Sequence, residues 1–158
     1  MSSLEERLRL LEDVEAIRTV DAAYCRLLDD GDWPALVALF TDDGVFDGLS
    51  RVRGHRDLRT FFAGLADAGM TAFWHHVSNH EIQVTGDSAR VGSLLWQPCV
   101  VDGVPHVAAG RYTDELVRTP AGWRYAVKQV RFSYWAPLAE GWEQHRFTLD
   151  SARNAALP

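Results

Sequence analysis

Residues 82–125 read IQVTGDSARVGSLLWQPCVVDGVPHVAAGRYTDELVRTPAGWRY. Three short turn signals punctuate this stretch: Thr85-Gly86-Asp87, Asp102-Gly103 and Pro120-Ala121-Gly122. Each lies between runs rich in β-branched and aromatic residues, which is the grammar of hairpins. Extended in both directions, the pattern predicts four strands, at Ala72 to Val84, Ser88 to Val101, Val104 to Thr119 and Gly122 to Trp135. Tightly linked antiparallel strands after a helical block indicate an α+β chain and not a parallel βαβ fold. Strands this long must bend, and a bent sheet has a concave face that needs cover. Only the N-terminal helices are available, so the expected architecture is a curved antiparallel sheet wrapped around helices, with a cone-shaped cavity between them.

The helical block begins with Leu4, Leu8, Leu11, Val14, Ile17, Tyr24 and Leu28, spaced by three or four residues or small multiples of them to form one apolar stripe. Asp21 falls on the same stripe, an odd place for a carboxylate. Gly31 suits a left-handed cap, and Asp32 then opens a short second helix, Trp33 to Phe40, with Pro34 in its first turn. Thr41-Asp42-Asp43-Gly44 is turn chemistry. Short strands are expected at Val45 to Asp47 and Ser50 to Arg53, and a third helix at His55 to Ala68. The domain is expected to span residues 1–135. Residues 136–158, with a possible turn near Glu140 to His145, form a tail over the pocket mouth or a neighbouring subunit.

The length of 158 residues suits one domain with a core of its own, and 47% hydrophobic against 24% charged residues is an ordinary globular balance. A net charge of -6 argues against nucleic acid and against an anionic membrane surface as partners. Cys25 and Cys99 make no secreted disulfide framework. The first leucines are interrupted by Arg7, Arg9 and Glu12, as in an amphipathic helix and unlike a signal peptide. No run approaches the roughly 20 apolar residues that span a bilayer. A cytoplasmic protein acting on small molecules is the expectation. Six tryptophans suggest an aromatic-walled pocket, a dimer interface, or both.

Glycine-rich phosphate loops, G-x-S-x-G and C-x-x-C are absent from the sequence. His76 and His80 point the same way on a strand but stand about 13 Å apart, too far for one ion, so neither a metal nor a cofactor is expected. Acid–base chemistry remains. Asp29 ends the long helix at the negative end of its dipole, beside Asp30 and Asp32, although Asp-Asp-Gly-Asp also serves as a plain polar connection. His75 lies among Phe73, Trp74 and Val77, where a neutral imidazole can accept a proton. Parity leaves open whether His75 or His76 faces inward. Tyr24 offers a hydroxyl from the helix stripe. His106 and Arg131 fall within apolar strands, and a structural ion pair with Asp21 or Asp29 is the plainer role for Arg131.

Several segments together resemble the SnoaL-like branch of the nuclear transport factor 2-like superfamily. They are Ala16-Ile17, Tyr24, Leu28-Asp29-Asp30-Gly31-Asp32-Trp33, Leu39-Phe40-Thr41-Asp42-Asp43-Gly44, Gly54-His55-Arg56-Asp57-Leu58, His75-His76-Val77-Ser78-Asn79 and Gly122-Trp123-Arg124. The resemblance implies a cone fold, usually dimeric, with a deep pocket between sheet and first helix. Its members include scytalone dehydratase, bile-acid dehydratase and hexachlorocyclohexane dehydrochlorinase, which use an Asp–His pair. Asp29 matches the aspartate, His75 matches the histidine better than His76, and Tyr24 stands where bile-acid dehydratases carry a pocket tyrosine. The implied function is a cofactor-independent dehydratase or related lyase acting on a small hydrophobic, cyclic substrate. An isomerase or polyketide cyclase, and a non-catalytic binding protein, are the alternatives. Trp33, Phe46, Trp96 and Phe132 are the expected apolar wall, with His106 and Arg131 as further substrate-binding candidates.

Overall fold

The computed structural model describes residues 3–141. Helix α1 (Leu4–Asp30) opens on a capping box, in which Ser3 accepts from the Glu6 backbone and Glu6 from the Ser3 backbone. It closes on Gly31, left-handed at φ 73°. Asp32 then caps α2 (Trp33–Val37) by accepting from the Ala35 N–H at 3.1 Å. Helix α2 ends before Phe40 because that residue enters β1 (Phe40–Asp47). Thr41 to Gly44, expected as a turn, lie inside this strand. Its pairing breaks between Phe40 and Val45, so the four residues bulge out of register.

A short β2 (Arg51–Arg53) is followed by α3 (His55–Ala63), which stops at Gly64, earlier than the expected Ala68. The single strand expected at residues 72–84 is two, β3 (Met70–Phe73) and β4 (His76–Thr85). The hairpin series β5 (Ser88–Val101), β6 (Val104–Thr119) and β7 (Gly122–Pro137) matches its turn signals, with β7 ending two residues later than expected. One helical turn at Leu138–Glu140 follows. The expected tail thus begins inside β7. Its remainder from residue 142, including Trp142 and most of the turn anticipated at residues 140–145, lies outside the described residues.

One sheet runs β2-β1-β7-β6-β5-β3, with β4 sharing the β3 edge of β5. Every pairing is antiparallel except β1 with β7. The result is an α+β fold in which α1 covers the concave face through Ile17, Tyr24, Leu27 and Leu28. The apolar stripe of α1 is buried only from this middle region onward, since Leu4, Leu8 and Leu11 are exposed.

Curvature is set partly at Gly110, where the β6–β7 register shifts. A Cβ there would lie 2.5 Å from the Arg131 carbonyl oxygen, so the two backbones touch as only glycine allows. Gly110→Ala should cost about 1–3 kcal/mol in a denaturant titration. An unchanged midpoint would show that β6 yields freely at this point.

Candidate active site

The break between β3 and β4 is made by a side chain of the helix. Trp74 still donates its N–H to the Pro98 carbonyl of β5. The next N–H, that of His75, leaves the ladder and donates to Asp29 Oδ2 at 2.9 Å. The His75 ring donates from Nδ1 to Asp29 Oδ1 at 2.6 Å. One carboxylate in the last turn of α1 therefore grips both the backbone and the ring of His75. Because a carboxylate only accepts, Nδ1 carries a proton, and in the neutral ring the lone pair is therefore the one on Nε2. The side chains are 6% exposed for His75 and 19% for Asp29. His76, one residue on, is exposed on β4.

His75 stands in the wall of an interior cavity between α1, α3 and the sheet. Tyr24 and Leu28 come from α1, Phe61 and Phe62 from α3, and Phe132 and Trp135 from β7, with Phe46, Gln97 and Tyr112 also in the wall. Free space inside is about 40 Å³, enough for no more than a few waters. On its other side His75 borders an open groove of about 610 Å³ with Asp29, Asp21 and His80. The Tyr24 hydroxyl is fully buried and has no hydrogen-bond partner. Burial raises its pKa well above the ordinary phenol value, so it remains a neutral donor.

Beneath the cavity lies a charged cluster. Lys128 is 0% exposed, and its Nζ donates to Asp21 Oδ1 at 2.9 Å and Asp114 Oδ2 at 2.8 Å. Asp21 also accepts from the Tyr125 hydroxyl at 2.7 Å and from His80 Nε2 at 2.6 Å. The ammonium sits 4.0 to 4.5 Å from the ring centroids of Tyr24, Tyr112 and Tyr125, within cation–π range. Burial opposes ionisation of Asp21, yet the Lys128 charge and the three hydrogen bonds hold its carboxyl well below the usual range. Burial pushes Asp114 up to about 6 against the pull of Lys128. Despite its own burial, Lys128 is held above the ordinary lysine value by the two carboxylates. The oddly placed Asp21 is thus explained by a cation from β7.

Residues 9–128 match the SnoaL-like domain family. This chain is a member of that family. It is similar to a nuclear transport factor 2-like protein with a cystatin-like fold from Novosphingobium aromaticivorans, 29% identical at a TM-score of 0.67, the match covering 100% of this chain and 99% of that one. A second protein from that organism, provisionally named a scytalone dehydratase, is 21% identical at 0.73 over 80% and 88%. A hexachlorocyclohexane dehydrochlorinase from Novosphingobium barchaimii is 19% identical at 0.77 over 90% and 99%. The two more distant likenesses speak to the fold alone. No curated protein matches the chain by sequence.

In this SnoaL-like chain the structure brings together His75, Asp29, Tyr24, Phe46 and Phe132, and places four other candidates outside the cavity wall. Trp96 is 42% exposed, because strand alternation that turns Leu95 and Gln97 inward turns Trp96 outward. Arg131 follows the inward-facing Val130, and it bonds Asp47 on β1 at 3.2 Å, not Asp21 or Asp29. His106 sits near the start of β6 with Nδ1 donating to the Val104 carbonyl at 2.8 Å. Trp33 stacks on Phe62 at 6.5 Å, behind the wall instead of in it. Sequence reasoning missed Gln97, Phe61 and Tyr112. Gln97 was recoverable as a polar residue on the inward parity of β5, the same signal that singled out Asp21. Among the described residues no group of three His, Cys, Asp or Glu is arranged to hold a metal, and no helix is long and apolar enough to cross a membrane.

Proposed function

We propose that this chain is a cofactor-independent lyase, a dehydratase by preference, acting on a small hydrophobic cyclic substrate. The observation that carries the reading is the double grip of Asp29 on His75, which sets the tautomer with a basic Nε2 on a ring in an apolar cavity wall. His75 removes a proton from carbon beside a carbonyl. The C–H electrons form the new double bond as the C–O bond to a leaving hydroxyl breaks. The imidazolium returns that proton to the departing hydroxyl, which leaves as water, and the ring ends as it began. Asp29 balances the charge of the imidazolium, while Tyr24 steadies the substrate oxygen by a hydrogen bond. Membership of the SnoaL-like family and the names of the dehydratase and dehydrochlorinase relatives support an enzyme of this type.

The small free volume requires that Phe61, Phe62 or their neighbours on α3 move aside for substrate. It also favours a second reading, in which the Asp29–His75 pair only pins α1 to the sheet. Screening β-hydroxy cyclic ketones by mass spectrometry tests the first. Loss of one water supports the dehydratase, whereas conversion without mass change indicates an isomerase or cyclase. Asp29→Asn separates chemistry from pinning. Asparagine has one acceptor oxygen where His75 needs two, so either the backbone N–H is stranded or the ring takes the wrong tautomer. Turnover should fall on the order of 10²-fold or more. Unchanged kcat with a lowered melting temperature would leave only the pinning role.

A further inference from the structure

We infer that the cavity selects a ring substrate bearing oxygen over a hydrocarbon or halocarbon of the same shape, with Gln97 and Tyr24 as the selecting groups. The inference deepens the function proposed above and rests on it only in taking this cavity as the substrate site. Gln97 is 4% exposed and stands in the cavity wall. Its cross-strand partner is Ala108, whose small side chain leaves the carboxamide room. That carboxamide has no hydrogen-bond partner among the described residues. The Tyr24 hydroxyl in the same wall is likewise unpartnered.

Buried polar groups are nearly always satisfied, so the orphan Tyr24 hydroxyl, with the Gln97 carboxamide in the same cavity wall, points to partners on a ligand. A carbonyl or hydroxyl accepts from the Tyr24 hydroxyl and from the Gln97 amide N–H, and a hydroxyl also donates to the amide oxygen. A purely apolar ring would leave the Tyr24 hydroxyl as unpartnered as before and strip the Gln97 carboxamide of any water, whereas an oxygenated ring gains about tenfold in affinity for each bond it makes. Sites built to hydrogen-bond a substrate reject analogues lacking the group far more strongly than apolar pockets reject a change of size. The chemistry favoured is therefore elimination of water from an oxygenated ring over elimination of halide from a bare one.

Calorimetric titration of the whole chain with α-tetralone and with tetralin, its hydrocarbon counterpart, tests this without requiring turnover. α-Tetralone should bind at least about 10-fold more tightly. Gln97→Leu should shrink that ratio by about 10-fold while tetralin binds as well as before or better, a gain that mere damage to the fold would not produce. Tyr24→Phe should act in the same direction. Equal or tighter binding of tetralin, an unchanged ratio in both variants, or no binding of either ring at millimolar concentration would overturn the inference. Oxygen preference without His75-dependent turnover would sink the lyase and leave the selection standing. Turnover with no oxygen preference would do the reverse.

Discussion

His75→Ala should lower turnover by about 10²- to 10⁴-fold on any substrate the wild-type chain converts, the range that a positioned general base supplies. The loss should fall on kcat, because the ring is needed when the proton moves and contributes only one edge to a wall made mostly of aromatic carbon. Stability should change little. The substitution keeps the backbone N–H that donates to Asp29 Oδ2, and the abandoned Oδ1 belongs to a side chain 19% exposed beside an open groove, where water can replace the ring. His75→Gln sharpens the test. Its amide can still donate to Asp29, preserving the tie between α1 and the sheet, but it offers no basic nitrogen. If His75→Gln retains wild-type kcat, general-base catalysis by this residue is wrong. If both variants lose kcat and melt near the wild-type temperature, the pinning role is too small to explain the pair.

Most of the fold was legible because it rests on local rules. The turns at residues 85–87, 102–103 and 120–122 and the Gly31 cap need only their own few residues to be read. Failures came where a partner distant in sequence overrides the local rule. Asp29 reaches across 46 residues to take the His75 N–H and split one expected strand into two. The polar run Thr41 to Gly44 bulges within a strand because β7 pairs on either side of it. The same holds for the site. Asp29, His75 and Tyr24 were raised by their own chemistry and singled out by family resemblance, whereas Trp96 was expected in the wall although strand alternation, which turns Leu95 and Gln97 inward, sends it outward. Arg131 needed a partner, but composition alone does not choose Asp47 over Asp21. The cluster around Lys128 was visible only as a misplaced aspartate on a helix stripe.

That cluster gives the largest expected effect on stability. Three aspartates recur at eight-residue intervals along α1, about 12 Å apart at 1.5 Å per residue. Asp13 meets Arg118 and Trp123, Asp21 meets Lys128, Tyr125 and His80, and Asp29 meets His75. The middle contact is the most buried, and Lys128→Met removes the one lysine or arginine that, among the described residues, reaches both Asp21 and Asp114. Two carboxylates are then left facing each other with no ammonium between them, a change worth about 3–5 kcal/mol. The pH dependence gives the mechanism a sign. In the wild-type chain the depressed Asp21 contributes stability above the unfolded carboxyl value, lost as pH falls through its folded value. Asp114, raised to about 6, costs stability above that pH and returns it as pH falls toward the unfolded value. Without Lys128 both carboxyls move up, so the variant gains stability as pH falls from about 7 toward about 4, and its deficit narrows. Lys128→Met/Asp114→Leu should recover part of the loss by removing one of the stranded charges. Urea titrations of both variants at neutral and mildly acidic pH decide the matter. A deficit below about 1 kcal/mol, or one that stays constant with pH, would show that the ammonium is not what keeps these carboxylates buried beneath Tyr24 and Tyr112 at the cavity floor.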